Sequence, residues 1–223
     1  MNTNNIYKYK LKLTKNKELK FISHLDWQGL ILKIFRRCEI NLVLSEGFNK
    51  MPKVSYSPAL PIFIESECEF VNFQTYDILD NNFIENFKKN SPNGINVISL
   101  GEQKPDELKS LENYCQWAKY CANFKNHVYK NEEIRYIIEK CLSSDEFLIE
   151  KKTKKGILKT VNYRSSIKTI EFVDDNILEF ILKVGQNEFI PALRADEFLK
   201  ILFQNDIFSI KRTGFYDADF NPL

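Results

Sequence analysis

The sequence predicts an α+β protein made of two tandem ferredoxin-like halves, each running β-α-β-β-α-β, with antiparallel sheets and helices on one face. Three observations carry this expectation. The 223 residues are long for one small domain and suit two of about 100 residues each. Residues 7–13 alternate Tyr7, Tyr9, Leu11 and Leu13 with Lys8, Lys10 and Lys12, which is the period of a half-buried strand. The same order of strand-like and helix-like stretches then returns after a polar segment.

The first half spans 1–100. After its opening strand, Trp27, Leu30, Ile31, Ile34, Phe35 and Cys38 recur at the three-then-four spacing of an amphipathic helix. Ser23 stands where an N-cap belongs, and Asp26 three residues on imitates a capping box. Lys33, Arg36 and Arg37 fall late in that helix, where the dipole favours cations. Extended segments around 53–57 and 62–74 follow, then a short helix around Phe83, Ile84 and Phe87. A strand at Ile95–Leu100 closes the half, opened by Pro92-Asn93-Gly94.

Residues 101–113 are polar, include Pro105 and read as a linker. The second half, 114–223, starts with a strand at Tyr114–Phe124 and a helix carrying Ile134, Ile137, Ile138, Cys141 and Leu142. Phe147–Lys152 forms the next strand, followed by a long excursion and a strand at Leu178–Val184. Ala195, Phe198, Leu199, Leu202 and Phe203 align on a last helix before a final strand at Ile207–Arg212.

Composition narrows the function. Hydrophobic residues at 43% and aromatics at 13% exclude wholesale disorder. The 32 basic and 30 acidic residues leave +2, too balanced to coat nucleic acid by charge alone, so any such partner must meet a local patch. The first seven residues are polar and no run reaches the roughly 20 apolar residues of a membrane span; a cytoplasmic protein with no membrane partner is expected. Cys38, Cys68, Cys115, Cys121 and Cys141 contain no C-x-x-C pair, which points to reduced, mostly buried thiols and to no metal or other cofactor.

The chain carries no phosphate-binding loop, dinucleotide fingerprint, H-E-x-x-H or G-x-S-x-G. His24 and His127 are its histidines; His24, with Asp26 near it in sequence, is the one weak catalytic candidate, as a base or a phosphate contact. The strongest charge asymmetry is the acid-free run 151–168, with Lys151, Lys152, Lys154, Lys155, Lys159, Arg164 and Lys168. It reads either as a solvated loop or as a track along a phosphate backbone, with Tyr163 available for stacking. In the stretch 42–61, Gly47 can accept a positive φ and Pro52 and Pro58 restrain the residues before them. Asn49, Lys50, Lys53 and Ser55 supply donors there, so the stretch is either a packing elbow or a binding surface.

Phe21-Ile22-Ser23-His24-Leu25-Asp26, the Arg36-Arg37 pair, and Ser45-Glu46-Gly47-Phe48-Asn49 followed by Pro52-Lys53-Val54-Ser55 together resemble the bacterial radical SAM-linked protein family. That domain is found fused or adjacent to a B12-binding-type radical SAM protein. The likeness is dense over 19–69, and Lys211-Arg212-Thr213 resembles the family's closing strand. Where the family's loop has glutamine, proline and histidine, this chain has Glu46, Lys50 and Met51, which argues against acid–base chemistry from the loop. The resemblance implies a radical SAM partner and carries Asn49, Lys53 and Ser55 over as a binding surface. The chain itself lacks the C-x-x-x-C-x-x-C spacing of the radical SAM cluster.

The expected function is a non-catalytic RNA-binding accessory role beside a radical SAM enzyme, in RNA modification or processing. Nucleic-acid contacts are expected at Arg36, Arg37, Asn49, Lys53, Ser55, Lys151, Lys152, Lys154, Lys155, Arg164, Lys211 and Arg212. Two alternatives stay open. One is a metal-independent endoribonuclease of the repeat-processing type with His24 as base, although Thr213-Gly214-Phe215 has a single glycine where such enzymes carry a glycine-rich loop. The other is a protein-only adaptor docking through Trp117, Tyr120 or Phe215.

Overall fold

The computed structural model describes residues 5–80, 82–103, 110–126, 128–152, 156–174, 176–185, 189–204 and 206–223. His127, Lys154, Lys155 and Pro105 lie outside them. The protein is mixed α+β with mostly antiparallel sheet, divided into two compact units, Met1–Tyr114 and Cys115–Leu223.

The first unit is built from β1 (Tyr7–Lys15), α1 (His24–Arg37), β2 (Val54–Tyr56), β3 (Glu65–Thr75), α2 (Phe83–Asn90), β4 (Val97–Glu102) and α3 (Leu111–Tyr114). Its strands lie in the order β4-β1-β3-β2, every adjacent pair antiparallel. Helix α1 begins where its cap directs: the Ser23 side chain accepts from the Asp26 N–H at 3.1 Å and donates to the Asp26 carboxylate at 2.7 Å. Trp27, Ile31, Ile34 and Phe35 on α1, with Phe83 and Phe87 on α2, bury against Tyr9, Leu11 and Leu13 of β1 and Val71 and Phe73 of β3. Phe35 sits with its ring centroid 4.6 Å from that of Phe73. Burial of such side chains contributes roughly 1.5–3 kcal/mol each.

Because side chains alternate along a strand, filling one face with this core leaves the other to Lys8, Lys10 and Lys12 of β1, Phe70, Asn72 and Gln74 of β3, and Ser55 of β2. Residues 101–113, read from sequence as a linker, in part extend β4 to Glu102 and in part form α3, whose Leu111 is buried.

The second unit comprises β5 (Trp117–Phe124), α4 (Asn131–Ser143), β6 (Leu148–Lys152), β7 (Leu158–Asn162), β8 (Ile167–Asp174), β9 (Ile177–Lys183), α5 (Ala195–Leu202) and β10 (Phe208–Tyr216). Its sheet runs β10-β5-β9-β8, while β6 and β7 pair only with each other. Tyr120 stacks on Phe180 at 5.4 Å and Phe180 meets Phe198 of α5 at 5.2 Å, which joins sheet to helix.

The described part of the excursion between 152 and 178 forms β7, a short 3-10 turn at Arg164–Ser166, and β8. Phe147–Lys152 does not enter the sheet; that place belongs to β8, and the described cations of the basic run fall on β6 (Lys151, Lys152), β7 (Lys159), the turn (Arg164) and β8 (Lys168). The hairpin is held by Asn162, whose side-chain oxygen accepts from the backbone N–H groups of Phe147 and Arg164, each at 2.9 Å. Among the described residues no helix is long and apolar enough to cross a membrane. Cys38, Cys68, Cys115 and Cys141 are buried and Cys121 is half-buried, and none of them is in a disulfide.

Candidate functional site

Residues on the side of the sheet away from the helices converge on a pocket of about 280 Å³ lined by Lys53, Ser55, Asn72, Gln74, Gln103 and Ser110, with Val54 and Phe73. Backbone bonds fix its walls. Lys53 donates its N–H to the Val43 carbonyl at 2.7 Å and its own carbonyl accepts from Gln74 at 3.1 Å, which clamps the incoming loop to β3. Gln103 is seated by its N–H bond to the Lys8 carbonyl at 2.9 Å.

Within the pocket, Asn72 is 4% exposed, and neither its side-chain oxygen nor its nitrogen has a hydrogen-bond partner. An amide buried in this way forgoes its bonds to water without replacement, at a cost of about 1–3 kcal/mol. Among the described residues the lining has no carboxylate, imidazole or thiol; those that are there offer hydrogen-bond donors and acceptors for binding.

Beside the pocket lies a cationic shelf. The Lys10 and Lys12 ammonium groups stand 4.8 and 5.3 Å from the Phe70 ring centroid, and Lys10 is also 5.7 Å from that of Tyr114. These are cation–π distances. The residues in register with Lys8, Lys10 and Lys12 are Gln74, Asn72 and Phe70 on β3, and Gly101 and Ser99 on β4. None carries a negative charge. The lysine face is thus half-buried against aromatic rings, where sequence alone allows a freely solvated one.

Of the residues expected to bind, Lys53 and Ser55 come together here. Asn49 sits instead at the exposed tip of a loop closed by the Ser45 N–H to Met51 carbonyl bond at 2.7 Å. Gly47 turns that tip with φ +136°, as its glycine predicts, and Phe48 beside it is fully exposed. Arg36 and Arg37 are exposed at the end of α1, on the opposite side of the sheet from Lys10. His24 contacts the Gln28 amide at 2.9 Å and the Tyr56 ring edge-on at 6.4 Å, while the Asp26 carboxylate is turned to Ser23.

Several expectations in the second unit need correction. Arg212 is fully buried, its guanidinium 4.5 Å from the Phe215 ring centroid, so it is not a surface for nucleic acid. Tyr163 is 5% exposed and lies under the Lys151 ammonium at 4.7 Å; no base can stack on it. Lys151 also pairs with Glu197 at 3.0 Å. Burial opposes its charge, but the hydrogen bonds that its ammonium donates to Tyr163 and Glu197 outweigh this and hold its pKa above the usual lysine value. Arg164 donates to the carbonyls of Leu142, Ser144 and Ile167 at 2.9, 3.0 and 3.2 Å, an internal role. Lys152 and Lys159 on the hairpin are exposed, and Lys211 is half-buried on β10. Trp117, Tyr120 and Phe215 are buried; the exposed large apolar side chains are others, including Phe21, Leu25, Phe48 and Phe63.

Asn72, Gln74, Gln103 and Ser110 escape a sequence reading. The available signal is the pair of polar amides on β3, since asparagine is depleted in strands and this one alternates with Val71 and Phe73.

Among known proteins, no curated sequence matches this chain. A solved structure described as "Crystal Structure of a Cbf5-Nop10-Gar1 Complex" is similar with a TM-score of 0.43 at 12% identity, over 96% of this chain and 50% of that one. The chain thus spans half the length of that structure's matched chain. Residues 8–191, which include every residue from Lys8 to Gln103 used above, match the family described as "Uncharacterized protein conserved in bacteria (DUF2344)", and the chain belongs to that family.

Proposed function

We propose that the chain is a non-catalytic RNA-binding accessory protein that works with a radical SAM enzyme in RNA modification or processing. The observation that carries the RNA reading is the cationic face of the first unit: Lys8, Lys10, Lys12 and Lys53 lie on one side of the sheet, and no carboxylate is in register with the three on β1. A nearly neutral chain that gathers cations on one sheet face has the local patch that phosphate binding requires. The radical SAM partner rests on the motif resemblance over 19–69. The strand orders β4-β1-β3-β2 and β10-β5-β9-β8 support reading both units as ferredoxin-like halves, an architecture whose sheet face away from the helices binds RNA in other modules.

The test is retention of cellular RNA, and then of a retained RNA made in isolation, against salt concentration. Each lysine that touches phosphate contributes about one unit to the slope of log affinity against log salt. The triple variant Lys10→Gln, Lys12→Gln, Lys53→Gln should bind less tightly and show a slope lower by about two to three. Unchanged affinity and slope would refute the reading.

A second reading, the protein-only adaptor, is favoured by one feature. Phe21 and Phe63 pair edge-on at 5.6 Å while both remain exposed, with exposed Leu25 in the first turn of α1. Capture of a radical SAM protein without RNA, insensitive to salt and lost in Phe21→Ser, Phe63→Ser, would select it.

A further inference from the structure

We propose that the pocket between β2, β3, Gln103 and Ser110 is a nucleobase site, in which Asn72 reads the base edge and Lys53 faces the attached phosphate. The inference rests on the RNA-binding reading of this sheet face and specifies what one nucleotide does there.

The argument starts from the Asn72 amide. It is almost wholly buried, it lines the pocket, and its oxygen and nitrogen both lack partners. A side-chain amide presents an acceptor and donors side by side. An inorganic anion would satisfy the nitrogen and leave the oxygen unpaired; a metal cation would do the reverse. A ligand that offers an adjacent donor and acceptor satisfies both, and that pattern is the edge of a nucleobase, which asparagine and glutamine read in bidentate fashion.

The rest of the lining agrees with this choice. Gln74 and Gln103 add two more amides, and Ser55 and Ser110 two hydroxyls, so the wall is neutral and rich in hydrogen-bonding groups. Among the described residues Lys53 is its one cation, where a base entering the pocket would bring its phosphate. The space, about 280 Å³, is several times the roughly 30 Å³ share of a water molecule and lies near the small end of ligand pockets. It suits a single base better than a larger ligand. Lys10 and Lys12 beside it track the neighbouring phosphates, so charge holds the chain while the pocket discriminates.

The same chemistry could come from an unpaired base in RNA or from a free nucleotide, and the experiment separates them. Binding of eight-residue oligo-A, oligo-C and oligo-U, and of an abasic chain of equal length, is measured at two salt concentrations for wild type and Asn72→Leu. AMP, CMP, GMP and UMP are titrated in parallel. Wild type should prefer one base over the abasic chain by roughly tenfold, and Asn72→Leu should erase the preference while keeping the salt slope. Gln74→Leu, on the same wall, should weaken the preference too and serves if Asn72→Leu does not fold. Equal binding of all four oligomers by wild type and variant would overturn the base pocket and leave the lysine surface intact. A mononucleotide that binds wild type, but not Asn72→Leu, with no oligomer bound would keep the pocket and overturn the RNA reading. Binding of neither class overturns both.

Discussion

Ser55 on β2 and Asn72 on β3 are direct partners across the antiparallel ladder, and Lys10 on β1 partners Asn72 from the other side. With Gly101 opposite Lys10 on β4, one row crosses all four strands of the first unit. The row has a cation, an amide and a hydroxyl, and a glycine at its end. Its amide member, Asn72, has no hydrogen-bond partner, and Lys10 places its ammonium over Phe70 and Tyr114. A sheet that stabilised itself alone would carry an apolar or paired residue at position 72.

Asn72→Leu should therefore stabilise the protein. The substitution keeps size approximately and removes two buried unsatisfied groups, so unfolding in urea should show a gain of about 1–2 kcal/mol. The corresponding rise in Tm is a few degrees. A loss of stability would mean that the amide is satisfied in the folded state.

Arg164 should behave as a structural residue. Its three hydrogen bonds reach the Leu142 carbonyl in the last turn of α4, the adjacent Ser144 carbonyl, and Ile167 at the start of β8. It thereby caps a helix C-terminus and ties it to the strand that follows the hairpin. Arg164→Met should cost about 3 kcal/mol, since hydrogen bonds to a charged donor are strong and the carbonyls lose their partner. Arg164→Lys should recover little of it, because one ammonium cannot reproduce the planar fork. RNA affinity of the folded fraction should be unchanged.

Gly94 is fixed by backbone geometry. Its φ is +101°, and a Cβ at that position would overlap the carbonyl oxygen of Asn16. The Gly94 carbonyl meanwhile accepts from the Asn16 N–H at 3.1 Å and from the Thr14 hydroxyl at 2.8 Å, joining the end of β1 to the start of β4. Gly94→Ala combines a left-handed strain with a steric clash and should destabilise by about 2–4 kcal/mol. Thermal unfolding of the variant would check this, and a shift of less than one degree would contradict it.

These residues also mark where the sequence is informative. Ser23, Asp26 and the apolar period of α1 are contiguous, and a cap and a stripe on one helix suffice to locate it. Gly94 announces its turn through Pro92 and Asn93. Strand β8 is hidden because its register shifts between Ile167 and Thr169 and again between Phe172 and Asp174, which breaks the two-residue period, and because it starts inside a lysine-rich run. Lys53 and Ser55 can be singled out by their loop, but the pocket around them needs Asn72, Gln74, Gln103 and Ser110. Strand register and the chain's return after β4 bring those residues in, and neither is written in local pattern. The burial of Arg212 and Tyr163 is tertiary in the same sense: a basic or aromatic residue looks identical in sequence whether it binds a partner or fills a core.

Lys183 sets the alkaline behaviour of the second unit. It is 2% exposed, donates to the Gln116 side-chain oxygen and lies 5.2 Å from the Trp117 ring centroid. No ion pair with a carboxylate reaches it among the described residues. Burial disfavours its charged form and lowers its pKa from the usual 10.5. Between the lowered folded value and 10.5 the unfolded chain binds more protons than the native one, so this group makes stability rise with pH across that window. Below the window the buried charge opposes folding; above it both states are neutral and the effect is spent. Lys183→Met removes the titration. Because other lysines and tyrosines titrate in both proteins, the informative quantity is the difference in unfolding free energy between variant and wild type. That difference should be most favourable to the methionine variant at pH 7 and should shrink as the pH approaches 10.5. Its absolute size also contains the loss of the Gln116 contact, so the slope decides the matter. Parallel stability curves over this range would show that Lys183 titrates alike in the folded and unfolded chain.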